Sequence, residues 1–317
     1  MAKTSISART GRLSAIPSAP NLRVVGAPEA KPARQAAPFV KWVGGKARLT
    51  DVLAPPPGVR RFAEPFVGGG AMFYHLHNTG DLQGAVLCDV NRDVVTAYRV
   101  VQTQVDALIT ALQLHERRYL KLDAAGRKAY FYRVRARHPM DHDMDDVERA
   151  ARMLYLNRTC FNGLWRENAS GRFNTPHGRY ANPRIAREPE LRACHEALQG
   201  ATILERDFRM LPKLARDHGV DYVYLDPPYH PISATSAFNA YSRGGFGARD
   251  QAELAEVCVE LDQMGVRFML SNSDCELIHS LYERFDVSQI HAARAVNCKA
   301  GKRGKVTELV VRNLHRW

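Results

Sequence analysis

The chain has 317 residues, 45% hydrophobic and 25% charged, which is enough apolar material for one large or two modest domains and too much for a wholly disordered protein. No apolar run approaches the roughly 18 residues that cross a bilayer and no secretory signal opens the chain, so the expectation is a soluble intracellular protein. The 45 Lys+Arg against 33 Asp+Glu give a net charge of +12, which leaves the fold open but favours a polyanionic partner, nucleic acid first.

Residues 1–37 hold 19 Ala, Ser, Pro or Gly, no aromatic residue, six basic residues and one acid, Glu29. Such a segment cannot bury enough surface to order itself; it is predicted to be a flexible basic tail, with an organellar transit peptide as the alternative. Without it the chain keeps 39 basic and 32 acidic residues, so the basicity belongs to the body too. From Phe39 onward short β-rich runs, at 61–66, 85–88, 202–204, 222–225, 267–270 and 309–311, alternate with helical patterns. That alternation argues for an α/β fold with a mostly parallel sheet covered by helices. Between about 92 and 196 the pattern changes to one helix over 94–115, another over 147–156, and an irregular Gly/Asn/Arg-rich stretch over 157–187. This block reads as a separate domain, 92–195, inserted into a body made of 38–91 and 196–317. The six cysteines stand singly, without a CxxC pair or a nearby His at metal-ligand spacing. They are expected to be reduced, mostly buried thiols, with no metal site.

The run Ala63-Glu64-Pro65-Phe66-Val67-Gly68-Gly69-Gly70-Ala71-Met72-Phe73 is a strand leading into three glycines and an apolar helix start. Adjacent glycines let the backbone turn tightly and approach a ligand where a Cβ would clash, and a helix N-terminus favours an anionic group. Alone, the pattern serves a structural turn equally well. Asp89, 19 residues past Gly70 and at the end of the next strand, strengthens the ligand reading. An acid there sits where nucleotide-binding sheets hold ribose hydroxyls; a helix N-cap is its other reading. Directly after the apolar strand 222–225 comes Asp226-Pro227-Pro228-Tyr229. Two prolines fix the backbone and withhold their N–H groups, so the Asp226 carboxylate and the Pro227 carbonyl stand as paired acceptors suited to a substrate NH2 group. Tyr229 adds a flat face for a planar base. Residues 231–246, with aromatics at Phe238, Tyr241 and Phe246, are predicted to be a mobile loop that orders over the ligands, or else a plain surface connection.

With Cys88-Asp89-Val90-Asn91 and Leu156-Asn157-Arg158-Thr159-Cys160-Phe161-Asn162-Gly163-Leu164-Trp165-Arg166 added, the chain resembles the Dam-type (D12 class) DNA adenine-N6 methyltransferases from about Phe39 to Asn313. Lys41-Trp42-Val43-Gly44-Gly45-Lys46, Phe173-Asn174-Thr175-Pro176-His177-Gly178-Arg179-Tyr180, Ser271-Asn272-Ser273-Asp274 and Lys302-Arg303-Gly304-Lys305-Val306-Thr307-Glu308-Leu309 extend the match. Only Asp-Pro-Pro-Tyr is diagnostic of class by itself; the motifs in this order are highly specific. The resemblance implies a Rossmann-like S-adenosylmethionine-dependent methyltransferase sheet with an inserted, mainly helical target-recognition domain. It implies S-adenosylmethionine held by Trp42, Lys46, Phe66, Gly68, Gly70, Asp89, Asp207, Phe208 and Asp226, with Asp89 on the ribose and Asp207-Phe208 near the cofactor's adenine. By residue type alone, Trp42 reads as a core aromatic, Lys46 as a solvated charge, and Asp207-Phe208 as a helix cap followed by a core Phe. Asp226, Pro227 and Tyr229 are the implied catalytic residues.

The implied substrate is adenine in double-stranded DNA, within 5'-GATC-3'. An exocyclic amine is a poor nucleophile because its lone pair is delocalised into the ring. Asp226 and the Pro227 carbonyl, accepting its two hydrogens, would push the nitrogen toward tetrahedral geometry and aim the lone pair at the methyl. No catalytic His, Cys or metal is expected. A base inside a duplex cannot reach such a pocket, so the adenine is expected to flip out and stack on Tyr229. In the family, residues matching Lys41, Phe161, Asn162, Leu164, Arg166, Pro176 and Tyr180 contact the site. Arg166 can make two hydrogen bonds to a guanine edge, Leu164 and Pro176 suit a thymine methyl, and Phe161 would wedge into the duplex. Trp165 and His177 are expected to be packing residues. Lys302 and Arg303, in a basic turn with Lys299 and Lys305, would hold phosphates, unless the turn is merely solvated. The expected partner is double-stranded DNA, with no membrane and no obligate protein partner, and the enzyme is expected to be a cytoplasmic, nucleoid-associated monomer of bacterial or phage origin. An aminomethylase of protein glutamine or RNA is the competing enzyme class, against which the 161–180 block speaks. A silent DNA-binding protein would be expected to have lost Asp226 or the glycines.

Overall fold

A computed structural model describes residues 1, 35–46, 53–231, 245–293 and 305–313. Its sheet is built from β1 (Arg61–Glu64), β2 (Gly84–Asp89), β3 (Ala201–Glu205), β4 (Tyr222–Leu225), β5 (Arg267–Ser273), β6 (Asp286–Ala293) and β7 (Lys305–Arg312). The strands lie in the order β3-β2-β1-β4-β5-β7-β6, with β1 to β5 parallel and β7 antiparallel to both its neighbours. This is a mixed, mainly parallel α/β sheet, as expected. The chain runs from β1 outward through β2 to β3, then returns to β4 on the other side of β1. The carboxyl ends of β1 and β4 therefore flank a topological switch point, where open α/β sheets leave a crevice for ligands.

Period-two alternation buries both faces of the sheet, as a mainly parallel sheet demands. Phe62, Ala85, Leu87, Tyr222, Tyr224, Met269 and Val310 enter one apolar cluster together with Met72, Phe73 and Leu76 of α1 (Ala71–Thr79). Their strand neighbours Ala63, Val86, Cys88, Val223, Leu225, Phe268, Leu270, Leu309 and Val311 enter a second cluster.

The β2–β3 crossover carries α2 (Arg92–Thr103), α3 (Val105–Lys121), α4 (Ala124–Ala136), α5 (Asp146–Thr159) and α6 (Glu188–Leu198), with an irregular stretch between α5 and α6. Asn91, Asp123 and Asp145 cap α2, α4 and α5 through their side chains. The first apolar cluster runs on into this block through Val94, Tyr98, Leu108, Tyr155 and Leu198, and α2 packs on β2 and β3 as well as on α5 and α6. The second cluster is completed by α7 (Leu211–His218), α8 (Ala248–Gln263) and α9 (Glu276–Leu281).

Three expectations need correcting. The helix expected over 94–115 is two, α2 and α3, broken at Gln104, whose φ of -139° and ψ of 39° are not helical. Residues 94, 98, 101, 105, 108 and 112, all buried, keep helical spacing across the break, so periodicity alone reads through it. Helix α4 and strand β6 have no counterpart among the predicted elements: α4 buries only Tyr130, Phe131 and Val134, and the β6 side chains over 286–290 are at most half-buried. The tail expected over 1–37 falls mostly outside the described residues, but its end is held: Asn78 hydrogen-bonds both the N–H and the carbonyl of buried Ala36. Cys88, Cys160, Cys194 and Cys258 are buried thiols and Cys275 is half-buried, while Cys298 lies outside the described residues. Among the described residues no helix is long and apolar enough to cross a membrane.

Candidate active site

The glycine loop after β1 is tied to β2. Val67 N–H donates to the Cys88 carbonyl at 2.9 Å, and Gly68 N–H donates to Asp89 Oδ2 at 3.1 Å. Asn91 N–H donates to Asp89 Oδ1 at 2.9 Å, while the cap of α2 is Asn91 rather than Asp89. Burial pushes the Asp89 carboxyl up to about 6, and these N–H groups pull the other way. Gly68 (φ +41°) and Gly70 (φ +67°) have left-handed backbones. A Cβ at Gly68 would lie 2.5 Å from the Trp42 indole, and one at Gly70 2.5 Å from the Tyr98 hydroxyl. Trp42 thus lies against the loop, half-buried on the first apolar cluster.

Asp226 follows β4 directly, and the segment after it is locked from below. Buried Asn272 of β5 donates to Gln251 of α8 at 2.9 Å and accepts the His230 N–H at 3.2 Å. Gln251 donates to the Pro228 carbonyl at 3.0 Å, and Ser273 Oγ donates to the His230 carbonyl at 2.6 Å. No described residue donates to the carbonyl of Pro227. Asp226 itself is 20% exposed, and its Oδ1 meets the Nζ of Lys46 at 3.0 Å. Lys46, only 4% exposed, also donates to the Gly44 carbonyl at 2.9 Å and stands 4.7 Å from the centre of the Tyr229 ring. Burial raises the Asp226 carboxyl above the usual range, Lys46 pulls it down and Glu308 pushes it up. Glu64, the last residue of β1, is buried and accepts the Phe73 N–H at 3.3 Å; burial, then the nearby Asp226 charge, holds it well above a normal carboxyl. Carboxylates from β1, β2 and β4 thus converge on the switch-point crevice, an arrangement suited to a cationic ligand bearing hydroxyls.

Beyond β3, Asp207 caps a short 3-10 turn (Phe208–Met210) and pairs with Arg209 at 3.0 Å. Arg209 also pairs with Asp250 at 2.6 Å and with Glu253, and lies 4.5 Å from the centre of the Phe208 ring. Phe208 is buried, and its ring centre is 5.6 Å from that of Phe66 and 5.5 Å from that of Phe246. Asp207 and Phe208 are therefore a cap and a core aromatic, beside the end of β2 and joined to the glycine loop through Phe66.

The irregular stretch after α5 folds into a ribbon. Phe161 N–H donates to the Pro176 carbonyl at 2.8 Å, Thr175 Oγ1 to the Leu164 carbonyl at 2.6 Å, and Asn174 N–H to the Arg166 carbonyl at 2.9 Å. Residues 160–168 thus run back along 172–178, with the turn at Gly171. Arg166 Nε donates to Asn174 Oδ1 at 2.7 Å. Phe161 is 49% exposed, Asn162, Arg166 and Pro176 are exposed, and Leu164 and Tyr180 are half-buried. Exposed Lys41 joins them, its ammonium 5.8 Å from the centre of the Tyr180 ring and its side chain against Gly163. Fully buried Asn157 holds Lys41 there, accepting its N–H at 2.9 Å and donating to its carbonyl at 2.8 Å. Trp165 and His177 are buried, as expected of packing residues. Glu167 accepts from Trp165 Nε1 at 2.9 Å and from Asn91 Nδ2 at 3.0 Å, which ties the ribbon to the end of β2.

The ribbon residues with Lys41 form one group, and the crevice residues another. Lys302, Arg303 and most of the loop expected over 231–246 lie outside the described residues. The sequence reading gave no role to Glu64, Asn157, Glu167, Gln251 or Glu308. All but Gln251 lie within or next to the quoted motifs, but Lys41 for Asn157, Asn91 for Glu167 and Tyr229 for Glu308 are remote in the chain, and no spacing reveals them.

A family model described as D12 class N6 adenine-specific DNA methyltransferase matches residues 42–296. The Type II methyltransferase M.MjaIII of Methanocaldococcus jannaschii is 37% identical over 289 residues, 87% of this chain and 98% of that one. The Type II methyltransferase M1.LlaDCHI of Lactococcus lactis is 39% identical over 282 residues, 87% and 95% of the two chains. The DNA adenine methylase of Escherichia coli K12 is 34% identical over 273 residues, 86% and 93%.

Proposed function

Since the chain belongs to the D12 class of N6 adenine-specific DNA methyltransferases, we propose that it uses S-adenosylmethionine to methylate the adenine of 5'-GATC-3' in double-stranded DNA, on a base flipped out of the helix. The observation that carries this reading is the acceptor pair at the carboxyl end of β4, the Asp226 carboxylate and the Pro227 carbonyl, set in the switch-point crevice.

The crevice fits S-adenosylmethionine. Gly68 and Gly70 let the loop turn closely against Trp42 and Tyr98, Asp89 offers a buried carboxylate to a hydroxyl pair, and Asp226 favours a cation. When bound, S-adenosylmethionine supplies a methyl already activated on a sulfonium. The protein's share is then to bind and orient. Trp42, Phe66, Gly68, Gly70 and Asp89 are assigned to the cofactor side, with Phe208 packed behind Phe66 and Asp207 capping its turn. Lys46 occupies Asp226 Oδ1, which leaves Oδ2 to accept one hydrogen of the amine while the Pro227 carbonyl accepts the other. Tyr229 offers the stacking face for the extruded base.

Sequence reading falls to the ribbon and Lys41. With Nε on Asn174, Arg166 keeps its two terminal nitrogens for a guanine edge. Phe161, a large apolar side chain half in water, suits a wedge into the base stack left by the adenine. Asn162, Leu164, Pro176 and Tyr180 share that surface, and Lys302 and Arg303 are assigned to phosphates. The reaction is placed in the cytoplasm, where DNA is the substrate.

Labelled methyl transfer to duplexes differing only by GATC or GATT is the direct test. The GATC duplex is expected to react about tenfold faster or more, since a wrong base pair typically costs about 1–3 kcal/mol; equal rates would exclude GATC reading. Arg166→Ala is expected to lose about 1–3 kcal/mol of discrimination at one base pair. Competition between cognate and near-cognate duplexes measures this, with cofactor affinity unchanged as the control.

A further inference from the structure

Strand β7 runs antiparallel to β5, with Glu308 opposite Ser273. Its early residues therefore lie at the edge where β4 and β5 end, while Leu309, Val310 and Val311 fill the core. Glu308 is 19% exposed at this edge. Its Oε2 accepts the Tyr229 hydroxyl at 2.9 Å and stands 3.8 Å from Lys46 Nζ, the same ammonium that meets Asp226 at 3.0 Å. Lys46, Glu308 and Tyr229 thus form a closed ring of contacts, completed by Lys46 over the Tyr229 face, and Asp226 is joined to it through Lys46. We propose that Glu308 is a positioning residue for methyl transfer, anchoring the Tyr229 ring by its hydroxyl and drawing Lys46 partly away from Asp226 so that the carboxylate remains a strong acceptor.

This inference rests on the reading that Asp226 and Tyr229 serve the extruded adenine. A tyrosine held at both ends of its ring cannot swing aside, so the stacking face is in place before the base arrives. One ammonium between two carboxylates neutralises neither fully. Without Glu308, Lys46 would belong to Asp226 alone and weaken it as an acceptor.

The charge effect has a definite sign. Asp226 is faced by Lys46 from the 41–46 segment, Glu64 from β1, Glu308 from β7, and the hydroxyls of Tyr224 and Tyr229 from its own strand and turn. The Glu308 charge favours protonated Asp226, so removing it keeps Asp226 ionised to lower pH, and the acid limb of the rate profile moves down.

The test is single-turnover methyl transfer against pH by the full chain, comparing wild type with Glu308→Gln, Glu308→Ala, Tyr229→Phe and the Glu308→Ala/Tyr229→Phe double variant. Glu308→Gln preserves shape, so its expected result, an acid limb displaced to lower pH, does not depend on tolerating a cavity. Glu308→Ala is expected to slow transfer about tenfold with cofactor binding unchanged, and adding Tyr229→Phe to slow it less than about twofold further, as coupled residues do. An acid limb unmoved in Glu308→Gln, or fully additive effects of Glu308→Ala and Tyr229→Phe, would overturn the proposal. An active Asp226→Ala variant would instead overturn the reading beneath it.

Discussion

Asp226→Ala is expected to slow single-turnover methyl transfer by about a thousandfold or more, the upper range for removing one oriented group from a charge-stabilising site, with DNA binding retained. The reason lies in the amine. Its lone pair is unavailable until both hydrogens are engaged, and the Pro227 carbonyl alone can engage only one. Alanine has a second effect, because it takes the 3.0 Å partner from Lys46, which is only 4% exposed. Breaking a buried pair costs about 3–5 kcal/mol when nothing replaces it, but Glu308 at 3.8 Å remains to take up part of the charge. Asp226→Asn separates the two effects: its side-chain oxygen can still accept from Lys46 while its amide presents a donor to the substrate amine. Both variants are expected to be inactive, with Asp226→Asn closer to wild type in thermal unfolding. Because burial raises the Asp226 carboxyl and transfer needs the carboxylate, wild-type activity falls on acidification from a higher pH than a free aspartate would impose. A wild-type rate from either variant would refute the assigned role.

Gly70→Ala is expected to lower stability by about 2–5 kcal/mol, combining about 1–2 for a non-glycine residue in a left-handed conformation and about 1–3 for overpacking. Both apply at this position. The φ of Gly70 is +67°, and its added Cβ would lie 2.5 Å from the hydroxyl of Tyr98. Tyr98 cannot retreat, being fully buried with its ring centre 4.8 Å from that of Phe39. Gly69 supplies the control: its backbone is not left-handed, and the nearest atom to its added Cβ is the Val40 carbonyl oxygen at 3.5 Å, an ordinary contact. Gly69→Ala is therefore expected to be nearly silent. Denaturant midpoints of the two variants, with cofactor titrations, decide the matter, and equal losses would dismiss the backbone argument.

Much of the sheet is legible in the sequence, because its buried strands are short apolar runs ended by turn signals. Strand 222–225 was read to the residue, since Asp226-Pro227-Pro228 stops it by chemistry that acts between neighbours. The break at Gln104 was not legible, because its flanking helices keep one apolar phase. Nor were α4, which buries three side chains, and β6, whose side chains over 286–290 are at most half-buried.

The same division runs through the candidate site. Glycine in a tight loop, proline without an N–H and an acid at a strand end are restrictions carried by single residues or close neighbours, so order along the chain exposed them. Lys46 shows what that order leaves open. As a residue type it reads as a solvated charge, whereas the fold buries it between Asp226 and Glu308, 180 and 262 positions further along. Packing likewise brings Lys41 to Asn157 and Asn91 to Glu167, 116 and 76 positions away. A buried charge or amide must find a partner wherever the sheet and helices bring one within about 3 Å, and which residue that is depends on strand order and register, which no local spacing encodes.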